Sequence, residues 1–492
     1  MEPRTVLLRE NHEHERLDYR GFRDRLADHL AWSRRLLSCF GTPDPETPGG
    51  PPLFNAIVLG DRGLEMFVGR GNAGDEFPSL TVQFPQMHCF EREIHEQFGL
   101  PFPGHPWLKP IRFEGLKRGR MDDYPFYQLG GKEVHEVGVG PIHAGVIEPG
   151  HFRFMCYGET VHHLEIHLGY QHRGAESLLV KTPPRKLPPL VESIAGDTAV
   201  AHVVAFCRAW EALCGMPARP EVETIRGIAV ELERIAMHLV GVGGLATDVA
   251  FLPGSSTYGR LRTSLINLSM RLCGSRFGRS WFRPGELRHP FGSTQKDDVR
   301  NTLQSVQRDI ATINDLFRKS RSVRHRLETT GTVPTALAKD IGLVGMAGRA
   351  SGLPCDLRHE LPSGVYQTHS IPMVTEPAGD CLARGLVRIR EMDDSLAWIL
   401  RVIETLPDVD ADPPARLTPR ANHCAVSFEE GWRGEVMHAI RTDAEGRIAH
   451  YKVQDPSLRN WFGLAQAVRG NAIYDFPICN KSFDLSYCGN DL

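Results

Sequence analysis

The N-terminal part of the chain alternates between helical and extended patterns of apolar positions. Residues 22–37 carry apolar side chains at helical spacing, whereas residues 56–59 and 80–84 are short apolar runs rich in β-branched residues. Recurrence at three- and four-residue steps predicts a helix, and short runs of this kind predict strands. We therefore predict a small α/β domain over residues 1–115.

A Gly-rich, polar stretch follows and interrupts this pattern. Glycine and polar residues without periodicity favour turns and linkers over packed elements. We predict a linker over residues 116–139.

Helical patterns dominate residues 140–492, after a predicted strand pair at residues 152–157 and 160–167. The clearest helix is predicted over residues 222–240, where apolar residues recur at helical steps: Ile225, Ile228, Ala229, Leu232, Ile235, Ala236 and Leu239. Further helices are predicted over residues 194–213, 259–273, 296–327, 334–342 and 383–405, and a hairpin over residues 435–441 and 447–453. The predicted fold class is α+β: a small α/β domain followed by a mostly helical domain with peripheral β elements.

Composition and charge are those of an ordinary globular protein. Of the 492 residues 41% are hydrophobic and 24% charged, and the formal net charge is -3. No block of one charge sign predicts a nucleic-acid partner, and no apolar run approaches the roughly 20 residues that span a bilayer. The charged N-terminal sequence lacks a signal-peptide pattern, so we expect reduced cysteines and a cytoplasmic location.

The N-terminal domain contains the segment EREIHEQFGLPFPGHP at residues 91–106. This segment resembles the signature of the C component, or 30-kDa-type subunit, of bacterial NADH-quinone oxidoreductase (complex I). From its residues alone it reads as a charged helix that ends at Gly99 and is followed by a rigid Pro/Gly turn. We expect it to fix a docking face rather than to perform chemistry.

The second domain resembles the D component of the same enzyme, and more closely the large subunits of membrane-bound, energy-converting hydrogenases. The resemblance rests on GPIHAGVIEPGHFRF at residues 140–154, GYQHRGAE at 169–176, ELERIAMHL at 231–239, FRPG at 282–285 and RGE at 433–435. The fusion of both parts, with a linker motif at Tyr124, Pro125 and Phe126, also resembles the hydrogenases.

The resemblance locates the positions at which hydrogenases hold nickel and iron with two Cys-x-x-Cys pairs. In ESIAGDT, residues 192–198, they fall on Ala195 and Thr198, and in DLSYCGNDL, residues 484–492, on Ser486 and Gly489. None is cysteine, and the soft thiolates that suit these metals are missing. We expect no nickel-iron site, and a chain that ends at Leu492 would also need no tail removal after metal insertion.

Quinone reduction is the other chemistry that the resemblance implies. His151 matches a histidine proposed to bond the quinone headgroup, and Asp248 matches its aspartate partner, whereas the position of a quinone-bonding tyrosine falls on Gly196. Reduction of a quinone needs proton donors within hydrogen-bond reach. We expect His151 and Asp248 to carry the chemistry, with one donor missing.

Arg173 matches an arginine beside the terminal iron-sulfur cluster of the neighbouring small subunit of complex I, and Gly278 stands where a second neighbour is histidine. A cation near a cluster raises its potential, so Arg173 is a candidate contact to a partner's cluster. An arginine that binds loop carbonyls is an equally good interpretation.

Other polar residues are interpreted structurally first. The histidines at positions 162, 163, 167 and 172 fall on differing strand faces and do not predict a metal site. His238 is expected to pack, and Glu429, Glu430 and Arg433 form either a buried ion pair or a solvated strand end. The glycine-rich segment GVGG at residues 241–244 follows a predicted helix rather than a strand, so it is not a dinucleotide fingerprint, and any NADH contact would fall on another subunit.

Two functions remain open, and an active nickel-iron hydrogenase is a third, less favoured one. The first is an oxidoreductase subunit that forms the cavity at the end of an iron-sulfur chain and passes electrons to quinone or another acceptor. The second is a non-catalytic coupling or scaffold subunit of an ion-translocating complex. Both imply a small iron-sulfur partner subunit like the B component of complex I, antiporter-like membrane partners, and a peripheral position on the cytoplasmic side of the inner membrane.

Overall fold

The computed structural model of this chain describes residues 5–11, 16–61, 63–113, 126–144, 147–413, 415 and 417–492. The linker residues Tyr124 and Pro125, and residues 145 and 146 of the GPIHAGVIEPGHFRF motif, lie outside the described residues. The elements combine helices with three- and four-stranded sheets, which confirms the predicted α+β class.

A four-stranded sheet forms the centre of the N-terminal part, in the order β2-β5-β4-β3. Its elements are β2 (Arg16–Asp18), α1 (Tyr19–Ala31), β3 (Leu36–Thr42), β4 (Leu53–Gly60), β5 (Gly63–Arg70) and α2 (His88–Phe98); an earlier strand, β1, spans Val6–Glu10. The pair β2–β5 is parallel and the other pairs are antiparallel. Helix α2 ends at Gly99, whose φ of +81° favours glycine, as predicted.

Two predictions for this part were wrong. The helix predicted to reach residue 37 ends at Ala31, because Ser33 takes a positive φ and residues 36–42 form the fully buried strand β3. The strand predicted over residues 80–84 is a series of turns. The reason is that the Glu91 carboxylate accepts hydrogen bonds from the Leu80 amide and the Thr81 hydroxyl, both at 2.7 Å.

Three further sheets belong to the second part of the chain, one of them the two-stranded pair β9–β10. The strands are β6 (Val134–Val139), β7 (His151–Tyr157), β8 (Thr160–His167), β9 (Phe282–Arg283), β10 (Glu286–Leu287), β11 (His423–Glu430), β12 (Glu435–Thr442) and β13 (Ile448–Gln454). Strands β6, β7 and β8 form one antiparallel sheet, which confirms the predicted strand pair. Strand β12 pairs with β13, which confirms the predicted hairpin. Strand β6 occupies the end of the predicted linker, and β1 joins the sheet β1-β11-β12-β13. The predicted domain boundaries stay a prediction.

Helices fill the rest of this part. They are α3 (Ala175–Lys181), α4 (Leu187–Val191), α5 (Ala199–Cys214), α6 (Pro220–Asp248), α7 (Leu252–Cys273), α8 (Ser293–Lys319), α9 (Arg321–Leu327), α10 (Thr335–Asp340), α11 (Gly345–Arg349), α12 (Leu357–Glu360), α13 (Cys381–Ile403), α14 (Ser457–Ala467), α15 (Phe476–Phe483) and α16 (Tyr487–Asp491). Within the described ranges, no helix is both long and apolar enough to cross a bilayer.

Three of the helix predictions need correction. Helix α6 continues through residues 241–244 instead of ending at Val240, because Gly241 and Gly243 lie against the buried Arg388 and Tyr258. The helix predicted from residue 194 begins at Ala199, and the one predicted over residues 296–327 is interrupted at Ser320.

The N-terminal sheet and the β1-β11-β12-β13 sheet share a core. Leu37 and Phe40 of the small sheet belong to the same buried cluster as Val426 and Met437 of the larger one. A buried ionic cluster strengthens this contact, since the Lys452 ammonium on β13 lies 2.6 Å from the Glu93 carboxylate on α2. Strand β13 is thereby held against helix α2 of the N-terminal part.

Candidate functional site

The four positions that the resemblance assigns to metal ligands lie on two buried segments. Ala195 and Thr198 lie in the turn before α5, and both are fully buried. Ser486 begins α16, where its hydroxyl accepts a hydrogen bond from the Gly489 amide at 2.9 Å. The hydroxyl of Ser486 is therefore committed to capping a helix.

Arg433 connects these two segments. Its guanidinium pairs with both carboxylate oxygens of Asp197 at 2.7 Å and lies 3.2 Å from the Thr198 hydroxyl, while its Nε donates to the Asp484 carbonyl. The guanidinium also lies over the Trp432 ring, 3.8 Å from its centroid. A bidentate cation thus lies between the two segments to which the resemblance assigns the hydrogenase thiolates.

The carboxylate of Asp455 fills the space beside Gly489. A Cβ placed on Gly489 would lie 2.6 Å from Cγ and 2.7 Å from Oδ2 of Asp455. Asp455 is 1% exposed and receives hydrogen bonds from the Ser457 amide at 2.8 Å and His202 Nε2 at 3.3 Å. A side chain at position 489 therefore has no room unless this carboxylate moves.

A buried chain of hydrogen bonds leads away from Asp455. His202 Nδ1 lies 3.1 Å from His438 Nε2, and His438 Nδ1 lies 2.9 Å from the Tyr451 hydroxyl. If both imidazoles are neutral, every donor faces an acceptor: the tyrosine donates to His438, His438 to His202, and His202 to the carboxylate. Burial lowers the pKa of His438 well below its ordinary value, which agrees with a neutral ring.

Neighbouring groups and burial shift the pKa values of two carboxyl groups around the pocket. Burial raises the pKa of Asp197, but the Arg433 guanidinium outweighs burial and lowers it overall. Burial raises the pKa of Glu233 to about 8, although its carboxylate accepts hydrogen bonds from the amides of Val200 and Ala201 at 2.8 and 3.3 Å. Glu233 thereby caps α5, which explains why that helix begins at Ala199.

These residues do not fit a nickel-iron centre. The four positions offer a methyl group, two hydroxyls and a glycine, and the groups around them are a guanidinium and hard carboxylates. Nickel and low-spin iron require soft thiolates, and a cation as close as Arg433 opposes metal binding. Among the residues that the structure describes, no group of three histidine, cysteine or acidic side chains is arranged to hold a metal ion.

The two predicted quinone residues lie on separate elements. His151 begins β7, is half-buried, and its Nδ1 lies 3.3 Å from the Gly140 carbonyl. Asp248 ends α6; burial raises its pKa, and its Oδ2 has no hydrogen-bond partner in the described chain. No hydrogen bond joins the two residues within the described ranges. At Gly196, the predicted tyrosine position, an added Cβ would meet only Arg279, at 3.7 Å.

Arg173 binds backbone carbonyls from both segments of the pocket. Its guanidinium donates to the carbonyls of Ser193 at 2.8 Å, Ile194 at 2.9 Å and Cys488 at 3.2 Å. Its own amide donates to the Leu492 carbonyl at 2.8 Å. Arg173 therefore has the loop-binding role that one interpretation assigned to it, on an exposed edge where a partner protein has access.

The remaining polar residues lie apart from this pocket. His238 Nε2 lies 2.7 Å from the Glu391 carboxylate in the core. Glu429 pairs with Arg208 and Glu430 with Arg349, so both are buried but neither pairs with Arg433. The histidines at positions 163 and 172 contact Arg469 and the Asp491 carbonyl, respectively.

Sequence reasoning missed Asp197, Asp455 and Asp484. Asp197 stands inside the ESIAGDT turn, so its place between two predicted ligand positions was a usable signal. Asp455 and Asp484 carry no local signal, because their importance arises from contacts with residues far away in the sequence.

Comparison with known proteins agrees with the resemblance. The chain matches the family described as the respiratory-chain NADH dehydrogenase 49 Kd subunit over residues 248–429 and the 30 Kd subunit over residues 61–123. It is 26% identical to hydrogenase-4 component G of Escherichia coli, over 85% of this chain and 76% of that protein. It is 28% identical to NADH-quinone oxidoreductase subunit 4 of Thermus thermophilus, over 72% of this chain and 92% of that protein.

Similarity extends to an archaeal hydrogenase and to a solved structure. The membrane-bound hydrogenase subunit alpha of Pyrococcus furiosus is 28% identical over 70% of this chain and 84% of its own length. A chain of the membrane-bound sulfane sulfur reductase, an archaeal respiratory membrane complex, superposes with a TM-score of 0.68 at 22% identity, covering 75% of this chain and 100% of that one. The latter likeness shows the shared fold. The chain thus matches the family models of both the 30 and the 49 Kd subunit within one polypeptide and is similar to subunits of membrane-bound hydrogenases.

Proposed function

We propose that this chain is the cavity-bearing subunit of a membrane-associated, complex I-like oxidoreductase that has no nickel-iron centre. Its relatives are subunits of NADH-quinone oxidoreductases and membrane-bound hydrogenases. The observation that carries the proposal is that the proposed metal-ligand positions hold no thiolate and that the Arg433–Asp197 pair and the Asp455 carboxylate lie beside them. Electrons arriving here need an acceptor other than a metal held by those positions.

A small iron-sulfur subunit is the proposed electron donor. Arg173 ties the segment at residues 193–194 to the C-terminal tail and leaves part of its own side chain exposed. A cationic group on such an edge stabilises the reduced form of a nearby cluster. The cluster is the partner's cofactor, and this chain would supply only the charge beside it.

The proposed acceptor is a quinone or a related small molecule, which binds to this chain at His151. The imidazole is half-buried beside Phe126, with ring centroids 5.9 Å apart. One imidazole can donate a hydrogen bond to a carbonyl and later deliver its proton. Asp248, whose burial favours the protonated carboxyl, would hold a second proton at the end of α6.

Placement at a membrane follows from the partners rather than from the chain itself. We propose a peripheral position on the cytoplasmic side of the inner membrane, with antiporter-like subunits as membrane partners that move ions. NADH, where the complex uses it, would bind to another subunit. We expect no nucleic-acid partner, since the chain carries nearly equal numbers of positive and negative side chains.

The test is electron transfer to added quinones in the assembled complex. His151→Ala and Asp248→Asn are compared with His162→Ala and Asp309→Asn, matched changes at exposed positions. We expect at least about a 10² loss of rate for His151→Ala, the usual contribution of a general acid, and wild-type rates for the controls. Wild-type rates for both site variants in an intact complex would overturn the catalytic assignment.

Metal analysis of the same preparation tests the other half of the proposal. Iron is expected from the partner's clusters, whereas nickel is expected far below one atom per chain. About one nickel per chain would show that the ligand positions were assigned wrongly.

A non-catalytic coupling or scaffold subunit is the second candidate. It is favoured by the lack of a hydrogen bond between His151 and Asp248 within the described residues, and by the closed Arg433 network, which joins two segments without leaving an open ligand position. In that case Arg433→Met would weaken assembly or coupled ion movement, while His151→Ala would leave electron transfer unchanged.

A further inference from the structure

A cavity of about 520 Å³ lies between the N-terminal part of the chain and the second part. Its wall is formed by the start of α2, the segment at residues 105–111, strand β8, and helix α14. None of the residues assigned above to the metal-ligand positions or to quinone binding lines it. The cavity adjoins the proposed reaction site at one residue, because His167 in its wall is the cross-strand partner of His151 and both rings contact Phe126.

The wall is largely apolar and aromatic. Trp107, Trp461 and Phe462 line it together with aliphatic side chains of β8 and α14. Cavities of this size and composition accommodate small organic molecules and bury most of their surface.

Two imidazoles in the wall have no hydrogen-bond partner. His88 is 8% exposed and His167 is 2% exposed, and neither ring nitrogen of either residue is paired within the described chain. Buried polar groups are nearly always satisfied in proteins. Two unpaired imidazoles in one cavity wall therefore indicate a ligand with hydrogen-bonding atoms.

The charges in the wall indicate the sign of that ligand. Arg92, Lys109 and Arg469 line the cavity, and its described lining residues include no aspartate or glutamate. Lys109 is paired with the Glu165 carboxylate at 2.7 Å, so the arginines carry most of the excess positive charge. Burial is the largest cause that lowers the pKa of His88, and the Arg92 charge is the next. For His167, burial is again the largest cause that lowers the pKa, and the Lys109 charge is the next. Both imidazoles therefore lie in a positive field. Such a field favours a negative group.

We propose that this cavity binds a small amphipathic organic anion, with its anionic head at His88, His167 and Arg92 and its apolar body against the aromatic wall. The neutral imidazoles donate N–H groups to the head, and Arg92 contributes charge, as it neighbours both rings. This binding proposal does not rest on the function proposed above and would hold even if that function were wrong.

The probe pair is 8-anilinonaphthalene-1-sulfonate and its uncharged analogue N-phenyl-1-naphthylamine, titrated by fluorescence into the full-length chain. We expect one saturable sulfonate site per chain, bound at least about tenfold more tightly than the neutral analogue, because a hydrogen bond to a charged group contributes roughly 1.5–3 kcal/mol. Decanoate should displace the sulfonate, and 1-decanol should not.

Variants separate the imidazoles from the cavity itself. His88→Phe and His167→Phe keep a ring of similar size, so each should weaken sulfonate binding at least about tenfold while leaving the neutral analogue unaffected. Ala465→Phe on α14 should block both probes by filling the cavity, and His162→Phe, at an exposed position of β8, should change neither.

Each remaining outcome overturns the proposal. Equal affinity for the two probes would show that the head group is not recognised. Unchanged sulfonate binding in His88→Phe, His167→Phe and Ala465→Phe, with circular dichroism showing intact folding, would place the bound probe elsewhere on the protein.

Discussion

A cysteine at position 489 tests whether this proposed metal-ligand position has room for a side chain. In Gly489→Cys the new Cβ would lie 2.6 Å from Cγ and 2.7 Å from Oδ2 of Asp455. Carbon atoms pack best at about 3.5–4.0 Å, so the carboxylate must move by about 1 Å. It has nowhere to go without loss, because Asp455 is 1% exposed and is held by His202 and the Ser457 amide.

The expected loss of unfolding free energy is about 3–5 kcal/mol. Overpacking of a full interior costs about 1–3 kcal/mol, and weakening a hydrogen bond to a charged carboxylate adds roughly 1.5–3 kcal/mol. The assay is urea unfolding followed by tryptophan fluorescence, read as a shift of the midpoint at constant slope. Gly259→Cys is the matched control: this helical glycine of α7 has no atom within 4 Å of an added Cβ.

A double-mutant cycle with Asp455→Ala identifies the cause. If the clash is with the carboxylate, the double variant loses less stability than the two single variants together, with an interaction energy of at least about 2 kcal/mol. The reasoning is refuted if Gly489→Cys is as stable as Gly259→Cys, which should lie within about 0.5 kcal/mol of wild type. Strict additivity with Asp455→Ala would refute it as well.

The spacing and type of neighbouring residues were sufficient to predict those helices whose position depends mainly on local interactions. The apolar stripe of α6 and the end of α2 at Gly99 follow from spacing and residue type, and both were predicted. Strand β3 was not predictable in this way. Its burial between two layers stabilises an extended chain at residues 36–42, where the sequence also permits a helix.

The candidate site shows the same division. Ala195 and Gly489 could be located by their flanking residues, and the absence of sulfur there is evident from the sequence. The groups beside these positions were not predictable, because His202 reaches Asp455, and Arg433 reaches Asp197, from segments far away in the sequence. Their contacts depend on tertiary packing, and no spacing rule connects them.

Two further predictions concern buried charges outside the metal-ligand positions. Lys452→Met leaves the Glu93 carboxylate without this partner and should lower the free energy of unfolding by about 3–5 kcal/mol, measured with urea. Arg447→Met, at a 73% exposed position, should lower it by at most about 1 kcal/mol. Equal losses would contradict the role of burial. The last prediction concerns pH. Burial raises the pKa of Glu233 to about 8, from an ordinary 4.5, so the folded chain retains a proton that the unfolded chain releases. The resulting stabilisation is complete below about pH 4.5 and is lost as the pH rises through about 8. Glu233→Gln removes this dependence, so the wild type should lose more stability than the variant between pH 5 and pH 8, both measured by urea unfolding. If the two proteins show the same pH dependence, Glu233 does not carry the retained proton.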